Sequence, residues 1–335
     1  MSSSAATTSP AGPQSTRLAA EYVLPLRWAD RRAAADVSEL TEYLRTLSAH
    51  LDVTVVDGSP AAVFATHHAL WGDVVRHVAP AGPTTGNGKV AGVLTGIRLA
   101  RHRRVIVADD DVRYDRRGLE RMVAELESAD VIRPQNHFTA LPWHARWDTA
   151  RTLINRAAAS DYPGTLGVNR DLLLELGGYD GDVLFENLEL IRTITAGGGR
   201  ERRVGDLFVG RNPPSAAHFI RQRLRQAYDS SAQPVRLVLE LGLLPLLVWS
   251  TRRPVRLACI TAAAMGLAEF GRRRHGGTRV FPATSALWAP AWLVERAVCA
   301  WLAVGARMLG GAKYGSSRLK KAANSPAALR QKLGV

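Results

Sequence analysis

The stretch RRVIVADDDVRYD, Arg103 to Asp115, decides the fold. Val105, Ile106, Val107 and Ala108 form a short apolar run that leads directly into Asp109, Asp110 and Asp111. An apolar run without alternation is what a strand buried on both faces shows. Adjacent carboxylates repel one another and cost stability unless a cation or solvent takes up the charge. The chain around them is basic, with a formal net charge of +14. Carboxylates at i and i+2 on an extended turn point the same way, so Asp109 and Asp111 are expected to project together and Asp110 elsewhere. Oxygen ligands of this kind suit Mg²⁺ or Mn²⁺, which keep positions for phosphate oxygens and water. A solvated acidic turn, or caps for the following helix, is the other reading of the same residues.

Outward from this strand, apolar runs alternate with helical patterns. Residues 22–28 read as a strand, and 33–50 as an amphipathic helix with Val37, Leu40, Leu44 and Leu47 at helical spacing. A second strand over 51–59 ends in the turn Asp57-Gly58-Ser59, and helices follow over 61–75 and 88–102. Beyond the aspartates come a helix over 117–128 and a strand over 129–135. Such alternation implies an α/β fold with a mostly parallel sheet covered on both faces. In such sheets ligands bind beyond the carboxyl ends of the strands. Asp57 and the aspartate triplet are therefore expected to meet in one crevice, with Asp57 either a turn residue or an acceptor for a base N–H. PTTGNGKVAGVLTGIRLAR, residues 83–101, is not a Walker A loop, because Pro83 and Val90 stand where that motif needs Gly and Ser or Thr. It still places glycines and Lys89 at a helix start, where N–H groups and a cation suit an anion.

The chain has 335 residues, more than one ordinary core and fewer than three, and its 46% hydrophobic share is that of a folded protein. Cys259 and Cys299 form no disulfide or zinc pattern and are expected as buried thiols. The start, MSSSAATTSPAGPQSTRL, lacks a basic segment followed by an apolar core, so it reads as a disordered tail over 1–19 rather than a signal peptide. The catalytic part is then expected in the cytoplasm. After residue 230 apolar segments dominate, at 234–250, 254–271 and 281–311, interleaved with arginine clusters. That interleaving suits an anionic membrane surface better than nucleic acid, for which basic residues among exposed aromatics are wanted. The first two segments are short for spans, and the third carries Glu295-Arg296 near its middle. Adjacent helical residues do not share a face, so these two need separate partners. Spanning and in-plane helices both remain open, and either attaches the chain to a membrane. Trp143 and Trp147, at i and i+4, belong on one helix, where they either pack into the core or touch acceptor or bilayer.

The order of Asp57, then Gly88-Lys89 with Gly96, then Asp109-x-Asp111 resembles glycosyltransferase family 2, inverting enzymes with the GT-A nucleotide-sugar fold. GTLGVNRDLLLELGGYDGD (164–182) resembles that family's acceptor-side strand, helix and turn. FENLELIRTITAGGGRERRVGD (185–206) resembles its Glu-Asp helix with the glycine turn and strand that follow, and QRLRQ (222–226) its Gln-x-x-Arg-Trp motif. The resemblance covers residues 20–230 and implies a GT-A domain with a Rossmann-like, mostly parallel sheet. Membrane-associated helices over 231–312 and a basic tail over 313–335 would follow, as in ceramide glucosyltransferase-like members. It implies a donor that is a nucleotide-diphosphate sugar, expected as UDP-linked, an acceptor that is a lipid or lipid-linked glycan, and no nucleic-acid partner. By the same resemblance Asp57 contacts the base, Asp109 the ribose or a metal-bound water, and Asp111 ligates Mg²⁺ or Mn²⁺ with Asp109 beside it. Lys89, Gln222 and Arg225 hold the donor, and Glu186 acts as catalytic base. The chain departs from the family at Asn187, where an amide replaces the usual aspartate, at Gln226 in place of Trp, and at Leu94 in place of Asn. Asp182 and Glu189 are alternative bases, and a catalytically weak nucleotide-sugar-binding scaffold is the alternative function.

Overall fold

A computed structural model describes residues 17–29, 33–82, 85–314 and 317–335. In chain order the first half contains β1 (Glu21–Leu26), α1 (Ala34–Ser48), β2 (Asp52–Asp57), α2 (Ala61–Trp71), β3 (Arg76–Val78), α3 (Gly88–Leu99) and β4 (Arg104–Ala108). It continues with β5 (Val112–Arg113), α4 (Arg116–Glu125), β6 (Val131–Phe138), α5 (Trp143–Ala158), β7 (Thr165–Asn169), α6 (Arg170–Glu175), α7 (Glu186–Ala196) and β8 (Glu201–Arg211). Then come α8 (Ala216–Asp229), α9 (Pro234–Ser250), α10 (Pro254–Arg273) and α11 (Ala289–Met308). The hairpin β9 (Ala312–Tyr314) and β10 (Ser317–Leu319) and the last helix, α12 (Pro326–Leu333), end the chain.

The strand leading into the aspartates sits in the middle of the sheet, whose order is β3-β2-β1-β4-β7-β6-β8-β5. That explains its uninterrupted apolar run: Val105 to Ala108 are buried because α3 covers one face and α1 and α4 the other. The sheet is mostly parallel, as expected: β3, β2, β1 and β4 pair in parallel, and so do β6 and β8, but β7 runs antiparallel to both β4 and β6, and β5 runs antiparallel to β8. Strand β3 was not expected, because its three residues are too short for a periodic signal. Helix α3 lies close on β1. A Cβ added at Gly96 would stand 2.3 Å from Val23 Cγ1, so only glycine admits this approach, which sets where the helix N-terminus points.

The late helices form a packed layer on this domain. A Cβ at Gly271 of α10 would come within 1.9 Å of the Leu153 carbonyl, so α10 crosses α5 at backbone contact. Glu295 turns toward Trp147, whose indole N–H donates to it over 3.0 Å, while Arg296 faces Glu240 at 3.7 Å; the adjacent pair does find separate partners. Trp143 and Trp147 share α5, with Trp143 half exposed and packed edge-on against Phe219. Among the described residues one stretch, Ala283–Met308, is long and apolar enough by length and composition to cross a bilayer.

Three expectations are corrected. Cys259 is exposed, because it lies on the outer face of α10, and Cys299 is half-buried. Of the expected tail over 1–19, residues 1–16 lie outside the described residues, while Arg17 pairs with Asp52 at 2.7 Å and the Leu18 N–H donates to the His50 carbonyl. The basic C-terminal segment is docked. Its Lys321 and Ala322 carbonyls accept the N–H groups of Leu184 and Phe185, and α12 packs on α7.

Candidate active site

A polar cavity of about 670 Å³ opens beyond the carboxyl ends of β1, β2 and β4, where a parallel half-sheet places its ligands. The aspartates enter from β4, Gly88 and Lys89 from the start of α3, Glu186 and Asn187 from the start of α7, and Arg211 from the end of β8. Helix α8 contributes His218, Gln222, Arg225, Gln226 and Asp229, which recur every three or four residues and so form one face. The α3 N-terminus is shaped by Asn87, whose side-chain oxygen accepts the Lys89 N–H over 3.1 Å.

Lys89 bridges two carboxylates, with its Nζ 2.5 Å from Asp109 Oδ1 and 2.8 Å from Glu186 Oε1. Burial works against the charged lysine, but Asp109 and Glu186 outweigh it and hold the ammonium well above its ordinary range. Glu186 also lies 3.7 Å from Arg225 and accepts from Asn87 Nδ2 at 3.4 Å. Against the cost of burial, Lys89 and Arg225 keep its carboxyl below the ordinary carboxylate range. A carboxylate so held is a weak proton acceptor near neutral pH, so its geometry is that of an anchor for two cations. Asp111 Oδ2 accepts from Arg211 Nε at 2.7 Å, and a Cβ at Gly164 would meet Asp109 Oδ2 at 2.8 Å. Asp110, expected to point elsewhere, also lines the cavity, and its Oδ2 accepts the Trp28 indole N–H over 2.6 Å.

The aspartates fit a divalent cation. Asp111 Oδ1 is buried and finds no hydrogen-bond partner among the described residues. Burial raises the pKa of Asp111, Arg211 opposes this, and the negative charges of Asp109 and Asp110 add to the rise. A cation at these carboxylates would fill the orphaned lone pair and offset that repulsion.

Asp57 is placed differently from the other strand-end carboxylates. Its neighbours Val56 and Gly58 line the cavity, but its own side chain is buried and taken up internally. His67 Nδ1 lies 2.6 Å and His77 Nε2 3.2 Å from Oδ2, and the Ser59 N–H donates to Oδ1 at 2.8 Å. Against burial, these hydrogen bonds bring its pKa down to about 2. Asp57, His67 and His77 also bring their donor atoms within 4.8 Å of one another, a set able to hold a metal. The hydrogen bonds account for the arrangement without one, since His77 Nδ1 meets His68 Nδ1 at 3.1 Å. Of the alternative bases, Glu189 is buried away from the cavity on Asn324, whose N–H and Nδ2 each donate over 2.6 Å. Asp182 Oδ1 accepts the Gly86 N–H at 2.8 Å. Asn187 donates to the Pro163 carbonyl at 2.9 Å.

Arg211 and Asp229 escaped the sequence reading. Arg211 ends a strand with no motif of its own. Asp229 continues the α8 spacing from Gln222 and Arg225 by one more turn, a signal that was present in the sequence.

No protein-family model matches the chain, and no curated protein matches it. Solved structures similar to it include the mannosyltransferase PcManGT from Pyrobaculum calidifontis in complex with GDP-Man and Mn²⁺. That similarity has 15% identity and a TM-score of 0.48 over 85% of this chain and 88% of that one. S. aureus TarS 1–349 in complex with UDP-GlcNAc is similar at 13% identity and a TM-score of 0.40, over 60% of each chain.

Proposed function

We propose that the chain is a membrane-associated glycosyltransferase that moves a sugar from a nucleotide-diphosphate donor to a hydroxyl of a lipid or lipid-linked glycan, with inversion. The observation that carries this reading is the convergence of Asp109 and Asp111 with Lys89, Arg211 and Arg225 on one cavity at the strand ends. Alternating carboxylates and cations match a metal-bound diphosphate, which presents both negative oxygens and a divalent ion. Asp111 and Asp109 would hold Mg²⁺ or Mn²⁺, which supplies charge stabilisation to the departing diphosphate. Lys89 and Arg225, held in place by Glu186, would turn their remaining donors to the diphosphate oxygens, and Gln222 would hydrogen-bond the donor from the same α8 face. The base would lie along Arg27, Val56 and Pro80, with Asp57 shaping that wall through its histidine contacts. Inversion follows if the acceptor oxygen attacks the anomeric carbon opposite the leaving diphosphate.

The membrane side rests on α9 and α11, where Val235, Val238, Leu239, Trp249, Trp301 and Leu302 are exposed and Arg256 stacks over Trp249 at 3.7 Å. An apolar face edged by arginine suits an anionic leaflet.

Calorimetric titration of UDP and GDP, with and without Mn²⁺, tests the site in wild type and Asp111→Ala. Metal-dependent binding of one nucleotide, lost in the variant, is expected, and failure of properly folded wild type to bind either would overturn the reading. Co-sedimentation with phosphatidylglycerol vesicles, weakened by salt and absent with no vesicle pelleted, checks the membrane face. Turnover by the purified chain alone separates an enzyme from a nucleotide-sugar-binding scaffold.

A further inference from the structure

The transfer needs a group to take the proton of the acceptor hydroxyl, and the family position for it is Asn187 here. Glu186 is committed to Lys89 and Arg225, and Glu189 to Asn324. Asp229 ends α8, one turn beyond Arg225 and two beyond Gln222, on the face that lines the cavity. Among the described residues its buried Oδ1 finds no hydrogen-bond partner, and neither does Oε1 of Gln226 on the same face. Two orphaned acceptors three residues apart on one helix of the cavity wall call for a ligand that donates hydrogen bonds, and a sugar or lipid hydroxyl does so.

We infer that Asp229 is the catalytic residue that accepts the proton of the acceptor hydroxyl, with Gln226 Oε1 receiving a hydrogen bond from the same substrate. The assignment rests on the glycosyltransferase reading above. The acceptor O–H bond breaks and its proton passes to the Asp229 carboxylate. The oxygen pair forms the new bond to the anomeric carbon. The bond from that carbon to the diphosphate oxygen breaks, and its electron pair leaves with the nucleoside diphosphate.

The electrostatics agree with this role. Burial pushes the Asp229 carboxyl up to about 7, with Arg225 opposing and Glu186 adding to the rise. The charged groups around it are Arg225 on its own helix, Glu186 on α7, Arg236 on α9 and Arg296 on α11. A base with a pKa near the working pH is effective in proton transfer. Glu186, held ionised by its cations, complements it as an anchor.

The test uses the full chain in detergent with Mn²⁺. Release of nucleoside diphosphate from UDP-glucose, UDP-N-acetylglucosamine and GDP-mannose is followed from pH 5 to 9, with water as the probe acceptor. Nucleotide affinity is measured in parallel. Asp229→Asn is expected to bind UDP or GDP within about twofold of wild type and to lose roughly 100-fold or more in turnover, with the acidic limb of the pH profile abolished. Formate added to Asp229→Ala is expected to restore part of the rate, which a structural role would not allow. Wild-type turnover and pH profile in Asp229→Asn, with nucleotide still bound, would overturn the assignment and leave the transferase reading standing. Absence of nucleotide binding in wild type would overturn both.

Discussion

Among the described residues, a buried cluster of charge beneath α5 and another around the cavity are finished to different degrees. Beneath α5, Asp161 accepts from Arg151 at 2.8 Å, Thr152 at 2.7 Å and Asn155 at 2.8 Å, and Asp148 accepts from Arg151 at 2.9 Å and Arg223 at 3.2 Å. Against burial, Arg151 holds both carboxyls well below their ordinary range, and Arg223 does the same for Asp148. Around the cavity, Asp111 Oδ1, Gln226 Oε1 and Asp229 Oδ1 are buried and find no hydrogen-bond partner among the described residues. Buried polar groups are ordinarily satisfied, and an exception calls for a reason. The saturated cluster ties α5 to α8 and to the loop at Asp161. The unsaturated one keeps its bonding capacity for a ligand.

The largest expected effect breaks the saturated cluster. Asp161→Ala leaves Arg151 with half its counter-charge and strands the Thr152 and Asn155 donors. Removing one partner from a buried pair costs about 3–5 kcal/mol, to be read from urea unfolding at pH 7. Because the folded pKa values of Asp148 and Asp161 are depressed, their contribution is present above the unfolded value of about 3.9 and is lost as pH falls through the lower folded values. Wild type should therefore lose stability steeply below about pH 4, and Asp161→Ala less steeply. A variant within about 1 kcal/mol of wild type would end the distinction between the two clusters.

Which parts were legible in the sequence follows from how local their causes are. Val105 to Asp111 could be read because burial on both faces writes an unbroken apolar run, and the strand-end location of the aspartates followed. Lys89 and Gly96 could be read because a helix start and a close helix–strand contact each demand particular residue types. The antiparallel entry of β7 could not, since a strand buried on both faces looks alike in either direction. The capture of Asp57 by His67 and His77 joins three separate elements, β2, α2 and β3, and leaves no spacing rule to find. The C-terminal segment was read by its charge, but backbone hydrogen bonds at Lys321 and Ala322 and the uncharged Asn324 amide dock it, and neither leaves a charge pattern to find.

That docked segment offers a second, smaller break. Asn324 is the cap of buried Glu189, and through α7 it steadies the turn that presents Glu186. Asn324→Ala removes the side-chain bond and leaves a buried carboxylate oxygen short of a donor, at a cost of about 1–3 kcal/mol. The urea midpoint should fall accordingly while nucleotide affinity changes little. Unchanged stability would show that solvent replaces the amide and that Glu189 belongs with the unsaturated groups.

The smallest expected effect has the opposite sign, and it sharpens the comparison most. Asp229 carries a carboxyl pushed up to about 7, chiefly by burial. A raised folded pKa means that the folded protein holds its proton more tightly than the unfolded chain does. Its stabilising contribution is full below the unfolded value of about 3.9 and is lost as pH rises through the folded value. Ionised Asp229 is thus a liability to the fold at pH 8, kept where a ligand would use it. Asp229→Asn should raise the unfolding free energy at pH 8 by roughly 0.5–2 kcal/mol, the usual scale for relieving strain at a functional site. That gain should shrink as pH falls toward about 3, below the unfolded value, where the wild-type carboxyl is mostly protonated in both states. Destabilisation at pH 8 instead would mean that Arg225, Arg236 and Arg296 rely on the carboxylate, which would place Asp229 with the saturated cluster beneath α5.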